Sequence, residues 1–282
     1  MLTNRRILTA GLLAAATALT ACGGGGSSDT GRTAYERDTD RSRGSADAPV
    51  TVIEYASVAC PHCADYHESV YPMVEEEFIE TGQVRYVFRE MITGSRPLAV
   101  TGFMLANCAP DDRYFDMLDL LFQQQRAIFT SAQRPGGALE EYRTIARAVG
   151  MSDAEFTECL NSTERRDEVL DAHQRAVDDD IQSTPTFIIN GELLDTRRGD
   201  GIVIYTLGGE PLMIDGETVP ALQNESTFRR ILNHVVAEAG GTPSPDMPTD
   251  GEMDSDMPEV EENDDSAPQS TPVDDTESGD EG

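Results

Sequence analysis

Cys60 and Cys63 stand three apart with Pro61 and His62 between them, in the stretch ASVACPHCADYH. Two thiols at that spacing can close a bridge, share a metal, or exchange electrons with another pair of thiols. Structural zinc takes four Cys or His ligands. The tetrapeptide offers at most half of that, and Cys108 and Cys159 are isolated, with no second Cys-x-x-Cys nearby, so no metal is expected. A permanent bridge over so short a loop constrains little chain entropy and stabilises little. Redox exchange is the leading reading.

The surrounding elements support it. Residues 50 to 56, VTVIEYA, are β-branched and aromatic and run directly into the cysteines, which reads as a buried strand carrying one carboxylate, Glu54. From Cys60 to about Thr81 the apolar residues Val70, Met73, Val74 and Phe78 recur at helical spacing, and Gly82 supplies a stop. The cysteine pair therefore lies at a helix N-terminus, where unpaired N–H groups and the helix dipole favour a negative sulfur. His62, as a nearby donor or cation, would add to this. Such settings bring a thiol from about 8.5 down to roughly 3.5 to 7.5. A comfortable thiolate makes the corresponding disulfide an oxidant.

Residues 83 to 91 alternate polar and apolar, a second strand that a βαβ crossover would make parallel to the first. Residues 97 to 182 read as a succession of helices with apolar stripes over 98–106, 115–122, 139–149, 154–160 and 164–181. A short strand follows at 184–191, then a hairpin around Gly208-Gly209 and a last helix over 226–239. The order is βαβ, helical insert, ββ, α, an α/β fold.

With these elements in place, the chain resembles the DsbA-like branch of the thioredoxin superfamily, whose signature Cys-Pro-His-Cys stands here at residues 60 to 63. The resemblance covers about residues 47 to 240 and implies a thioredoxin-like fold with a helical insertion domain. It implies that Cys60 is the exposed nucleophile, Cys63 its buried partner in the redox-active disulfide, and His62 the residue that tunes the thiolate. It makes Pro185 a cis-proline facing the disulfide, and gives Thr184 backbone hydrogen bonds to an extended substrate. It places Glu54 beneath the disulfide as a proton relay for Cys63; a strand-edge carboxylate facing water is the competing reading. Cys108 and Cys159 would pair as a structural disulfide, as leftover thiols of an exported protein do, or else remain two buried, unreactive thiols. His67, His173 and His234 read as surface or packing residues. The segment from residue 192 to 226 goes beyond the minimal family pattern.

The two ends differ from the middle. Arg5 and Arg6 precede an apolar run of about a dozen residues, too short to span a bilayer but suited to an export signal over residues 1–21. Leu19-Thr20-Ala21-Cys22 is similar to the lipobox of bacterial lipoproteins, which would make Cys22 the lipidated first residue of the mature chain. Residues 22–46 then read as a flexible tether. Residues 241–282 form an acidic tail without Lys or Arg that carries about half of the net charge of −31. That charge excludes sequence-independent nucleic-acid binding.

The expectation is an exported, lipid-anchored thiol–disulfide oxidoreductase of the cell envelope that needs no cofactor and oxidises reduced or misfolded exported proteins. A membrane redox partner would reoxidise its site. An isomerase or reductase on the same scaffold is the alternative within this chemistry, and a redox-inert binding module or chaperone the alternative outside it.

Overall fold

The computed structural model describes residues 35–199 and 201–244. Cys22, the export signal before it and the acidic residues from 245 onward lie outside the described residues.

Residues 35 to 46 correct the expected tether. Arg41–Arg43 form strand β1, which pairs antiparallel with residues 86 to 88. Tyr35 packs against the buried cluster that includes Ile53, Tyr55 and Val87, and Arg37 bonds Asp179. Arg43 reaches Glu75, Asp116 and Asp119. The segment has few apolar groups, as its composition indicates, but a sheet edge pairs its backbone and partly exposed acids pair its cations. The domain therefore starts by Tyr35 rather than at residue 47. At the other end Ser244 is buried, with its N–H on Asn233 and its hydroxyl on Glu77. Residues 241–244 belong to the domain and not to the tail.

Strand β2, Val50–Ala56, leads into helix α1, Pro61–Ser69. The expected single helix through Thr81 is broken at Val70, after which come α2, Tyr71–Val74, and a π-helical turn over Glu75–Ile79. Pro72 causes the break, because it has no N–H to donate and its ring collides with the preceding turn. Strand β3, Val84–Glu90, pairs parallel with β2, as a βαβ crossover requires.

Six helices then form the insert: α3 (Arg96–Cys108), α4 (Tyr114–Gln123), α5 (Gln125–Ala132), α6 (Leu139–Ala148), α7 (Asp153–Asn161) and α8 (Thr163–Asp178). Their shared core centres on Phe103, Leu105, Met117, Leu121, Phe122 and Phe156. Strands β4 (Thr186–Ile189), β5 (Glu192–Arg198), β6 (Val203–Leu207) and β7 (Glu210–Pro211) complete a sheet of order β1-β3-β2-β4-β5-β6-β7 among the described residues. A small ribbon of β8 (Met213–Ile214) and β9 (Glu217–Thr218) precedes helix α9, Glu225–Glu238. Helix α9, α1 and α2 cover one sheet face through Phe228, Ile231, Tyr66 and Val74. Glu54 and both cysteines lie where this layer meets the insert.

Candidate active site

Cys60 is the N-cap of α1 and Pro61 its first residue, a position where proline's missing N–H costs nothing. Two neighbours fix the incoming loop. The Gln125 side chain, buried on α5, donates to the carbonyls of Val58 and Cys60 at 3.0 Å each. Gly94, at φ +70°, lets the loop after β3 lie against the Ala59 carbonyl, where any Cβ would come within 2.0 Å. Across the site the Thr184–Pro185 peptide bond is cis. The Thr184 carbonyl lies 3.4 Å from Cys60 Sγ and accepts from it only while the thiol is protonated, and the Thr184 hydroxyl lies 2.6 Å from that of Thr93.

The two sulfurs sit in different environments. Cys60 is not the exposed cysteine expected from the resemblance: it is buried, at 8% exposure, against a fully buried Cys63. The Cys60 thiol is brought down to about 5. The largest cause is the hydrogen bond that the Cys63 thiol gives its thiolate; burial works against it, and the Thr184 side chain and the N–H groups of Cys63 and His62 add smaller contributions. The Cys63 thiol is pushed strongly up, first by burial, then by its bond to Cys60 and the negative charge of Glu54. Cys60 is thus the stable thiolate and Cys63 the thiol that keeps its proton.

His62 contributes differently from expectation. Its side chain is exposed, its N–H rather than its ring favours the thiolate, and its carbonyl accepts from Gln223 at 2.9 Å. Through Gln223 the segment after Gly191, whose role the sequence leaves open, reaches the active-site helix.

Glu54 is fully buried on β2, not at a wet strand edge. Its Oε2 accepts from the Tyr86 hydroxyl at 2.7 Å and meets His67 Nε2 at 2.9 Å, while Oε1 has no protein partner. His67, read from the sequence as a packing or surface residue, belongs to the site. Its position four residues after Cys63, on the same helix face, is the signal that could have found it. His173 instead accepts from the Ile92 N–H at 3.3 Å, and His234 lies on α9 beside Glu238. Cys108 and Cys159 are joined in a disulfide between α3 and α7, with Cα atoms 6.1 Å apart. Among the described residues no three His, Cys, Asp or Glu side chains gather as a metal site, and no helix is long and apolar enough to cross a membrane.

A βαβ start, a Cys-Pro-His-Cys helix cap and a facing cis-proline on one sheet, interrupted by a helical insert, define a thioredoxin-like fold. A family model described as thioredoxin matches residues 36–201, more than half of the 282 residues, and the chain belongs to that family. It is similar to a Rickettsia conorii protein named provisionally as a protein-disulfide oxidoreductase, with 32% identity over 158 residues, 55% of this chain and 54% of the relative. Disulfide bond formation protein D of Bacillus subtilis is 28% identical over 156 residues, 54% of this chain and 68% of that protein. The chain spans about half the length of the Rickettsia relative. Among solved structures, alpha-DsbA1 of Wolbachia pipientis superposes with a TM-score of 0.55 at 22% identity, over 72% of this chain and 94% of the other, and so shares the fold.

Proposed function

We propose that the chain is an exported thiol–disulfide oxidoreductase that donates its Cys60–Cys63 disulfide to reduced proteins. The observation that carries this reading is the asymmetry of the pair: one thiol brought down to about 5, its neighbour pushed up by burial. A substrate thiolate attacks Cys60 Sγ, the Cys60–Cys63 bond breaks, and Cys63 leaves with the electron pair and takes a proton. A second substrate thiol then closes the substrate disulfide and releases Cys60 as its stable thiolate. Glu54 beside Cys63 is the group that gives and takes that proton. Thr184 and Pro185 form the wall against which the substrate backbone lies. No organic cofactor or metal enters these steps.

The names of the Rickettsia and Bacillus relatives support the same chemistry. Substrates are reduced or misfolded exported proteins, and a membrane redox partner restores the disulfide. The site works in the cell envelope, on the periplasmic side, where lipid on Cys22 anchors the chain to a membrane.

The test is oxidation of a reduced, unfolded substrate protein. Cys60→Ser abolishes it, and Cys63→Ser accumulates a mixed disulfide at Cys60, detected by mass spectrometry, because resolution is lost. A Cys60→Ser variant as active as the wild type would dismiss the reading. A wild type that rearranges scrambled disulfides but oxidises nothing would assign it to isomerisation instead.

A further inference from the structure

Cys63 and His67 are one helical turn apart on α1, and Glu54, on the strand β2, meets His67 and places its charge near Cys63. The Glu54 carboxylate has one oxygen engaged, by Tyr86 and His67, and one without a protein partner. The imidazole repeats that pattern: Nε2 meets Glu54 at 2.9 Å, and Nδ1, also buried, has no protein partner. The ring cannot swing away, because it stacks on Phe122 of α4 at 3.9 Å and 11° and is flanked by Tyr71 at 4.8 Å. Only 6% of its side chain is exposed, yet it lines a cleft of about 120 Å³ that it shares with Glu68, Tyr71, Glu75, Asp119 and Gln123.

We propose that His67 is a proton-relay residue, acting through Glu54, that connects buried Cys63 to water by way of this cleft. The inference rests on the thiol–disulfide chemistry proposed above. When Cys63 leaves the disulfide, the proton it takes comes from Glu54, and His67 returns one to Glu54 from the solvent side. When Cys63 attacks a mixed disulfide on Cys60, its S–H bond breaks and a new Cys60–Cys63 bond forms. The bond between Cys60 and the partner sulfur breaks, the partner departs as a thiolate with the electron pair, and the proton of Cys63 travels out through Glu54 and His67.

A buried carboxylate alone does not complete this cycle. It can hold one proton, but it has no contact with water through which to exchange it, and imidazole is the side chain suited to pass protons near neutral pH. The charged and titratable groups around the ring come from every element packed on it. They are Glu54 from β2, Tyr86 from β3, Tyr66 and Glu68 from α1, Tyr71 from α2, Glu75 from the π-turn, Asp119 from α4 and Arg43 from β1, which pairs with both Glu75 and Asp119. Glu75 and Asp119, 35% and 28% exposed, stand at the wet end of the path, and burial raises both carboxyls against the opposing charge of Arg43. A histidine that only filled space would have no need of a 2.9 Å contact with a fully buried acid.

The experiment uses the full chain with glutathione placed on Cys60 as a mixed disulfide, and follows glutathione release by Cys63 between pH 5 and 8. His67→Gln slows release by roughly tenfold to a hundredfold, in the range of a lost acid–base group. Alkylation of Cys60 by iodoacetamide stays unchanged, which also shows that the site is folded. In His67→Ala, free imidazole restores release in proportion to its concentration. Release at the wild-type rate in His67→Gln, an equal slowing of release and alkylation, or no response of His67→Ala to imidazole overturns the relay while leaving the oxidoreductase reading intact. A wild type that never resolves the mixed disulfide overturns both.

Discussion

Stability of the reduced protein should depend on pH through Cys60 in a way that the disulfide form cannot share. The thiol stands at about 5 in the folded state against an ordinary 9.0. A lowered acid stabilises the folded state fully above its unfolded value, and the gain is lost as pH falls through the folded one. The window is therefore pH 9 down to 5. At pH 7 the folded thiolate is formed and the unfolded one is not, so the gain corresponds to the two pH units between 7 and about 5, or ~2.7 kcal/mol before screening. Cys60 caps the first turn of α1 and is not fully enclosed, and a discount of about half for screening leaves ~1 to 2 kcal/mol. Cys63 adds no slope below pH 8, because its thiol is protonated in both states there. The assay is urea unfolding of the two redox forms at pH 4.5 to 8, with Cys108–Cys159 kept intact and checked by mass. The disulfide form serves as the reference, since a bridge over so short a loop changes the unfolded chain little. Reduced minus oxidised stability should grow by ~1 to 2 kcal/mol from pH 5 to 7, roughly 0.5 M in urea midpoint. A difference flat across that range would refute the assignment of Cys60 as a stabilised thiolate.

Thr184→Val should raise the Cys60 value more than His62→Leu does, because Thr184 acts through its side chain and His62 through its N–H; thiolate absorbance against pH measures both. Gln125→Ala leaves the Val58 carbonyl without a donor and takes one of two donors from the Cys60 carbonyl, which keeps the Ala64 N–H, and should cost about 1 to 3 kcal/mol in denaturant unfolding. Replacing Cys108 and Cys159 by alanine opens a loop with a sequence separation of 51 and should cost on the order of 4 kcal/mol in the chain-entropy model, read by the same assay. Cys22→Ser should move the protein from the membrane to the soluble fraction; unchanged fractionation would count against lipidation.

The central βαβ unit was legible because its signals agree: β-branched residues at 50–56, helical spacing after Cys60 and a proline at the first helical position. Helix α5 was not legible, since QRAIFTSA follows two further glutamines and buries only Gln125, Ile128 and Ser131. Strand β5 was hidden for a similar reason: of ELLDTRR only Leu194 is buried. The order of residues 35 to 46 rests on ion pairs and edge pairing with partners far along the chain, and no local pattern records those. At the site, the cysteines, Glu54, Thr184 and Pro185 could be placed by motif. Helical spacing after Cys63 places His67 on the same face, but its part depends on a strand carboxylate and an insert phenylalanine that only the fold brings to one ring.

Strand β4 is hydrogen-bonded on both sides, to β2 over Thr186–Ile189 and to β5 over Phe187–Ile189. Under the proposed chemistry, a visiting polypeptide cannot lengthen its pairing along that strand. The backbone open to it beside Cys60 ends where β5 begins to cover β4, which leaves only the few groups around Ser183 and Thr184. So short an attachment demands little of the visitor's sequence, and once the transient covalent link is gone it holds the visitor only briefly. The extra strands beyond β4 thus favour a broad clientele with short residence times, and departure of the finished product should not limit turnover.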